Sequence, residues 1–360
     1  MKSTCFSLIV KELHQLIEEE LQRVGIQCRV FSRVKEYDSL REKVERKKLE
    51  NEGKPYYTKE GKKIQDIVGI RIVTYFYEDV ELLWNICAKM FTVVDKATAD
   101  ITESNFQPLR KNMVCQMPDD QKQMLREFIN SVNDDIHEII DSTFEIQFRT
   151  ILSEGWHEVD HILRYKCKDD WKNLLQESRM FNGIYATLET SDKALEALFN
   201  DLAHNHYKNK NWSAMLRFKY KMHFSQGDLS HQLNTILNEN HDFAKFLYLY
   251  RRHDLLEFIA LSNLKIMLSL NNLIYVIYLI NRESIGCTYD EKLEKIFCEV
   301  TGMSDIELTE KTKLNKIAND ITNEYENSLN KQKDETEFNQ KLINIPENYS
   351  YEITPGKIIW

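Results

Sequence analysis

Glycine and proline are scarce, ten and five among 360 residues. Loop-rich and sandwich folds consume both at their many turns, so the shortage disfavours them and favours helix. The seven cysteines (Cys5, Cys28, Cys87, Cys115, Cys167, Cys287, Cys298) form no Cys-x-x-Cys pair and no zinc spacing. Neither a redox motif nor a zinc finger is indicated; most stand among apolar neighbours and read as buried, reduced thiols. No apolar run reaches the roughly 20 residues of a membrane span. The longest, 266–280, is interrupted by Ser269, Asn271 and Asn272. An excess of positive charge is missing too: 48 Lys and Arg face 57 Asp and Glu, a net −9, so no global attraction to nucleic acid or anionic membrane is expected. The first residues lack a signal-peptide pattern and carry Lys11, Glu12 and three consecutive glutamates at 18–20. A cytoplasmic protein is the expectation.

What is present divides the chain in two. Leu8, Ile9, Leu13, Leu16, Ile17, Leu21 and Val24 make a helical stripe that stops at Gly25. Strands are read at 27–32, 70–77, 91–94, 112–117 and 143–148, and helices at 36–50, 79–90 and 150–164. The strand at 143–148 runs straight into the last of these helices. Strands and helices mix through the first 170 residues, as in an α/β or α+β domain. Beyond about 170 the strand signal disappears. The expected layout is an α+β domain over 1–204, a mixed β-sheet flanked by helices, then an all-helical domain over 205–330 and a polar tail over 331–360.

Three motifs carry the chemistry. Arg33-Val34-Lys35 is followed by Ser39 and Lys43; Asp66 leads Ile67-Val68-Gly69-Ile70-Arg71; and Glu145, Gln147 and Arg149 alternate with Phe144, Ile146 and Phe148. Alternation on a strand puts Glu145, Gln147 and Arg149 on one face, an arrangement that also suits the solvent face of a half-buried sheet. Between Arg33 and Lys63 eleven Lys and Arg meet seven Asp and Glu. This local basic strip suits a small polyanion, and equally a solvated helix face. Two isolated carboxylates with convergent Arg and Lys are what transfer of a phosphate-bearing group requires. The run His157-Glu158-Val159-Asp160-His161 is formally a zinc-protease motif. The charge at Asp160 and the lack of an evident third ligand argue against zinc.

Taken in order, these motifs resemble the synthetase domain of the RelA/SpoT family. Arg33, Lys35, Ser39 and Lys43 match its opening motif, Asp66 to Arg71 its Asp-x-x-x-Ile-Arg motif, and Glu145, Gln147, Arg149 and Thr150 its Glu-x-Gln-x-Arg-Thr motif. Trp156 to His161, with Tyr165-Lys166, is similar to the helix that follows. The resemblance covers roughly residues 20–170. It implies a nucleotidyltransferase-like sheet and transfer of pyrophosphate from ATP to the 3′-hydroxyl of GDP, GTP or another nucleotide, giving a (p)ppGpp-like alarmone. It further implies Mg2+ held by Asp66 and Glu145, with Glu145 as the base beside the 3′-hydroxyl. Arg33 and Arg71 would enclose the adenine, while Lys35, Ser39 and Lys43 would hold the phosphates. The acceptor would lie against Gln147, Arg149, Arg110, Asn112 and His161.

One motif departs. The family's acceptor loop, Phe-Gly-Tyr-x-Ser-x-His, is met here by Phe106-Gln107-Pro108-Leu109-Arg110-Lys111-Asn112, with Pro108 where the stacking Tyr stands. A different acceptor, such as another nucleotide or a tRNA 3′-end, is therefore also considered, as is a nucleotide-sensing regulatory protein without turnover. The His-Asp pairs at 241–242 and 253–254 sit in apolar helical contexts and read as incidental, so no hydrolase centre is expected. The helical half suits a regulatory or oligomerising role, and a homo-oligomer is considered.

Overall fold

The computed structural model describes residues 4–98, 111–132, 135–224, 227–262 and 268–281. All belong to one compact unit, residues 1–306; the other, 307–360, lies outside the described residues, as does the expected tail. The chain opens with α1 (Thr4–Val24), whose stripe of Ile9, Leu13, Ile17, Leu21 and Val24 is fully buried. Gly25, at φ +82°, stops the helix in the left-handed region. Then follow β1 (Cys28–Val34), α2 (Tyr37–Glu50), β2 (Val68–Thr74), α3 (Glu78–Met90), β3 (Val93–Thr98), β4 (Lys111–Gln116), α4 (Asp119–Ser131), α5 (Asp135–Glu138), β5 (Thr143–Thr150) and α6 (Ile151–Val159).

The five strands form one mixed sheet in the order β1-β2-β5-β4-β3. Only β2 and β5 run parallel; the other pairs are antiparallel. One face is apolar. Ile70, Ile72, Met113, Cys115, Phe144, Ile146 and Phe148 are buried there. Phe144 meets Phe91 edge-on and Phe148 packs on Trp84. The alternate residues fall on the opposite face and carry most of the motif side chains. Burial pushes the thiols of Cys28 and Cys115 up to about 12, which keeps them protonated and inert. The five described cysteines are all free.

After β5 the chain is helical throughout its described residues. The helices are α7 (Leu175–Lys208), α8 (Trp212–Tyr220), α9 (His231–Glu239), α10 (His241–Leu249), α11 (Arg252–Ser262) and α12 (Leu270–Asn281). Residue 204, where the sequence suggests a boundary, lies inside α7. None of the helices is long and apolar enough to cross a membrane among the described residues. Helix α11 ends at Ser262, and 263–267 lie outside the described residues.

A buried charge cluster fastens these helices to the sheet layer. Arg252 Nη1 donates to Asp79, Nε to the Tyr220 carbonyl at 2.5 Å, and Lys221 Nζ meets Glu78 at 2.8 Å. Asp79 is fully buried and Arg252 is 7% exposed. Burial pushes the Asp79 carboxyl up, and the Arg252 guanidinium opposes that rise. Glu78 and Asp79 also stand in the first turn of α3, where the helix dipole favours negative charge. Removing one member strands the other in a low dielectric, which costs about 3–5 kcal/mol. Arg252→Leu should lower unfolding stability by that amount in urea titration, and adding Asp79→Leu should recover much of the loss. Equal losses in the single and double variants would rule out the stranded charge as the cause.

Candidate active site

Strand register assembles the site. Gly69 and Arg71 of β2 stand opposite Glu145 and Gln147 of β5. Asn112 and Val114 of β4 stand opposite Gln147 and Glu145 on the other side. On β1, Phe31 and Arg33 face Arg71 and Gly69. The Arg33 side chain runs over Gly69, lying 3.5 Å from where a Cβ would stand. Arg33, Arg71, Glu145, Gln147, Arg149 and Asn112 therefore share one sheet face, which three of the motifs could not show separately.

Hydrogen bonds link that face into a line. Arg71 Nε donates to Gln147 Oε1 at 3.3 Å, and Gln147 Nε2 donates to Glu145 Oε2 at 2.8 Å. Asn112 Nδ2 donates to Glu145 Oε1 at 2.9 Å. Arg149 closes the line, both terminal nitrogens donating to Asn112 Oδ1 at 3.3 Å. Glu145 thus receives one neutral amide on each oxygen, a fixed orientation with further lone pairs free.

Helix α6 supplies two more carboxylates. Thr150 caps it, accepting from Ser153 N at 3.1 Å while its hydroxyl donates to Asp192 at 2.6 Å. Arg71 Nη1 donates to Glu154 Oε1 at 2.5 Å and to Glu158, one turn further on. Burial opposes the Arg71 charge, yet the bonds to Glu158 and Glu154 outweigh it and raise its pKa. Beyond Val159 the helix widens through 160–165, Lys166 N reaching back five residues to the His161 carbonyl. Such widened turns gather at functional sites. His161 stacks on Tyr165 at 5.8 Å, and its pKa is lowered by burial, then by the charges of Lys166 and Arg33. Arg164 pairs with Asp160 at 2.6 Å and lies 4.8 Å from the Phe181 ring.

A second cluster forms at the start of α2. Lys35 Nζ and Lys43 Nζ both donate to Asp66 Oδ2, at 2.5 and 2.7 Å. Burial pushes the Asp66 carboxyl up, but the bonds from Lys35 and Lys43 prevail and hold it below the usual carboxylate range. Burial lowers the Lys35 pKa, against the pull of Asp66. Lys43 also lies 5.9 Å over the Tyr57 ring. Ser39 is exposed in the first turn of α2, whose preceding residue Glu36 makes no side-chain cap. The dipole of that helix start favours an anion beside it.

One expected residue and one unexpected one stand apart from the rest. Arg110 lies outside the described residues, with most of the loop that precedes it. Glu154 was not anticipated, although its spacing of four from Glu158 on one helix face was visible. No group of three or more His, Cys, Asp and Glu stands ready for a metal among the described residues, and His157 instead packs against Trp156 and Tyr185. A magnesium ion asks for fewer protein ligands, taking one or two carboxylates with phosphate oxygens and water. Asp66 Oδ1 is buried without a hydrogen-bond partner, and Glu145 keeps open lone pairs, so the donor set fits that ion.

Comparison with known proteins agrees with the motifs. Residues 32–170 match the family model described as a region found in RelA / SpoT proteins. This stretch is similar to the region shared by RelA and SpoT proteins. The GTP pyrophosphokinase YjbM of Bacillus subtilis (strain 168) is 30% identical over 161 residues, 44% of this chain and 65% of that protein; the chain thus spans just under two thirds of that relative's length. Among solved structures, small alarmone synthetase 1 from Bacillus subtilis aligns with TM-score 0.39 and 21% identity, over 54% of this chain and 93% of that one. A GTP pyrophosphokinase family protein from Streptococcus pneumoniae aligns with TM-score 0.40 and 19% identity, over 55% and 91%.

The Asp66 cluster makes a prediction about pH. A carboxyl whose folded pKa is depressed contributes fully above its unfolded pKa, near 4. That contribution is lost as pH falls through the folded value. Asp66→Asn should therefore lower the urea midpoint at pH 7, and the gap to the parent protein should begin to narrow below about pH 4 and close only beneath the depressed folded value. An undiminished gap at pH 3 would show that Asp66 contributes by some route other than its charge.

Proposed function

We propose that the RelA/SpoT region transfers the β,γ-pyrophosphoryl group of ATP to the 3′-hydroxyl of a nucleotide, making a (p)ppGpp-like alarmone. The observation that carries this reading is the line Arg71-Gln147-Glu145-Asn112-Arg149 on one sheet face, beside the Lys35-Asp66-Lys43 cluster. The first supplies a held carboxylate among cations; the second supplies cations around an anion-accepting helix start.

In this reading the ATP phosphates lie against Lys35, Lys43, Ser39 and the first turn of α2. Lys43 stands one helical turn from Ser39, on the same face. Arg33 and Arg71 offer planar guanidiniums to the adenine. Asp66 and Glu145 would hold magnesium, which supplies charge neutralisation at the phosphoryl oxygens when bound. Glu145, steered by Gln147 and Asn112, accepts the proton of the 3′-hydroxyl. The oxygen–phosphorus bond forms at the β-phosphorus, the bond to the bridging oxygen of the α-phosphate breaks, and AMP leaves. Asn112 and Arg149, with His161 and Arg110, would face the acceptor. GDP or GTP is the first choice, in keeping with the name of the Bacillus relative.

A second reading is a nucleotide sensor without turnover. It is favoured by the resting pairing of the site: Arg71 is engaged by two glutamates and Asp66 by two lysines, so nucleotide must displace those partners. A tRNA acceptor is disfavoured by the net charge of −9.

Purified protein with magnesium and labelled ATP should convert GDP or GTP to a labelled product. Glu145→Gln should reduce the rate by about 10²–10⁴, the range for loss of a general base, with ATP binding retained. Label on ADP, ATP or tRNA instead would reassign the acceptor. Tight ATP binding with no product on any acceptor over hours would replace the enzyme with the sensor.

A further inference from the structure

Phe31 is an apolar ring on the polar face of the sheet. It lies on β1 two residues before Arg33, so both side chains rise from the same side of the strand. Val30 and Ser32, opposite Ile72 and Ile70, take the other side. Phe31 is 48% exposed, more than any other phenylalanine among the described residues, and none of those residues stacks on its ring. A single exposed apolar side chain is commonplace. One set among the guanidiniums of a candidate nucleotide site is not, because a bare ring beside cations is what stacks on a base.

Two rows of side chains cross the sheet here. Phe31, Arg71 and Gln147 stand side by side in one row, and Arg33, Gly69 and Glu145 in the next. Rows two residues apart along a strand are separated by about 6.8 Å. A flat base needs about 3.4 Å on either face, so the slot between the rows admits one base. Gly69 leaves its floor clear, and the Arg33 side chain runs over that floor, 3.5 Å from where a Cβ would stand. In the opposite wall the Arg71 guanidinium is held by Glu154 at 2.5 Å and by Glu158. Directly opposed residues on paired strands have Cβ atoms about 5 Å apart, so Phe31 extends the Arg71 wall outward along β1, the edge strand. A bicyclic base spreads wider than one guanidinium, and Phe31 stands where the remainder would lie. Arg29, the next residue of β1 on this face, is drawn to the Tyr75 hydroxyl at 3.4 Å.

We propose that Phe31 is a specificity-determining residue of the donor site, its ring completing with Arg71 one wall of a slot for the adenine of ATP. This rests on the reading of Arg33 and Arg71 as partners of that base, and it is tested by binding, which needs no turnover. With magnesium present, Phe31→Ala in the full chain should weaken ATP on the order of tenfold, the scale of a lost base–aromatic stack. Its affinity for inorganic tripolyphosphate, which has phosphates and no base, should match the parent's. Phe31→Tyr, which keeps the ring, should bind ATP as the parent does. Unchanged ATP affinity in Phe31→Ala overturns the proposal. So does an equal loss for ATP and tripolyphosphate, which would make Phe31 a general support of the site. Weakened GDP with unchanged ATP would move the ring to the acceptor and overturn the donor assignment. Base-selective loss in a protein that forms no labelled product would uphold Phe31 while removing the transferase, whereas product formation with unchanged ATP affinity in Phe31→Ala would do the reverse.

Discussion

The register between β2 and β5 aims nearly every polar group of the site. It sets Gly69 beside Glu145 and Arg71 beside Gln147. A slip of β5 by one residue would turn Glu145 and Gln147 into the apolar layer and bring Ile146 out, away from Arg71. That slip is opposed by the whole buried face, where Phe144 and Phe148 meet the aromatic residues of α3 and its exit. Hydrophobic packing on one side of the sheet thus fixes polar geometry on the other. Parallel pairing also demands a long crossover, and the intervening chain is used: it supplies α3, β3 and β4, with Asn112 placed back against β5.

The site is rich in charge yet nearly self-neutral at rest. Asp66 is clasped by two lysines, and Arg71 by two glutamates. Partial burial makes each of these pairs matter more than a surface pair would. The consequence is a cleft whose cations and anions are held in place without ligand, at the expense of being partly occupied by each other. Under the proposed function, a phosphate-bearing ligand would trade contacts with Glu154 and Glu158, or with Asp66, and a divalent cation competing for the Asp66 carboxylate would release the lysines.

The helices beyond β5 are joined to this core by chemistry of a different kind. Arg252 reaches from α11 into the first turn of α3, and Asp192 of α7 receives the Thr150 hydroxyl where α6 begins. Both contacts sit beside elements that frame the candidate site. The orientation of α6, and with it Glu154 and Glu158, therefore depends on α7.

Much of the fold was legible in the sequence. The five strands and the helices around them announced themselves by period-two and helical patterning, because each buries one side of itself. The motifs named the residue types that phosphate chemistry needs, and their order gave the resemblance to the RelA/SpoT family. What the sequence could not supply was partnership. Nothing local says that Lys35 and Lys43 would converge on one oxygen of Asp66, that Arg71 would be shared by Glu154 and Glu158, or that Asn112 would bridge Glu145 and Arg149. Those pairings join residues 23 to 87 positions apart, and only strand register and helix docking decide them.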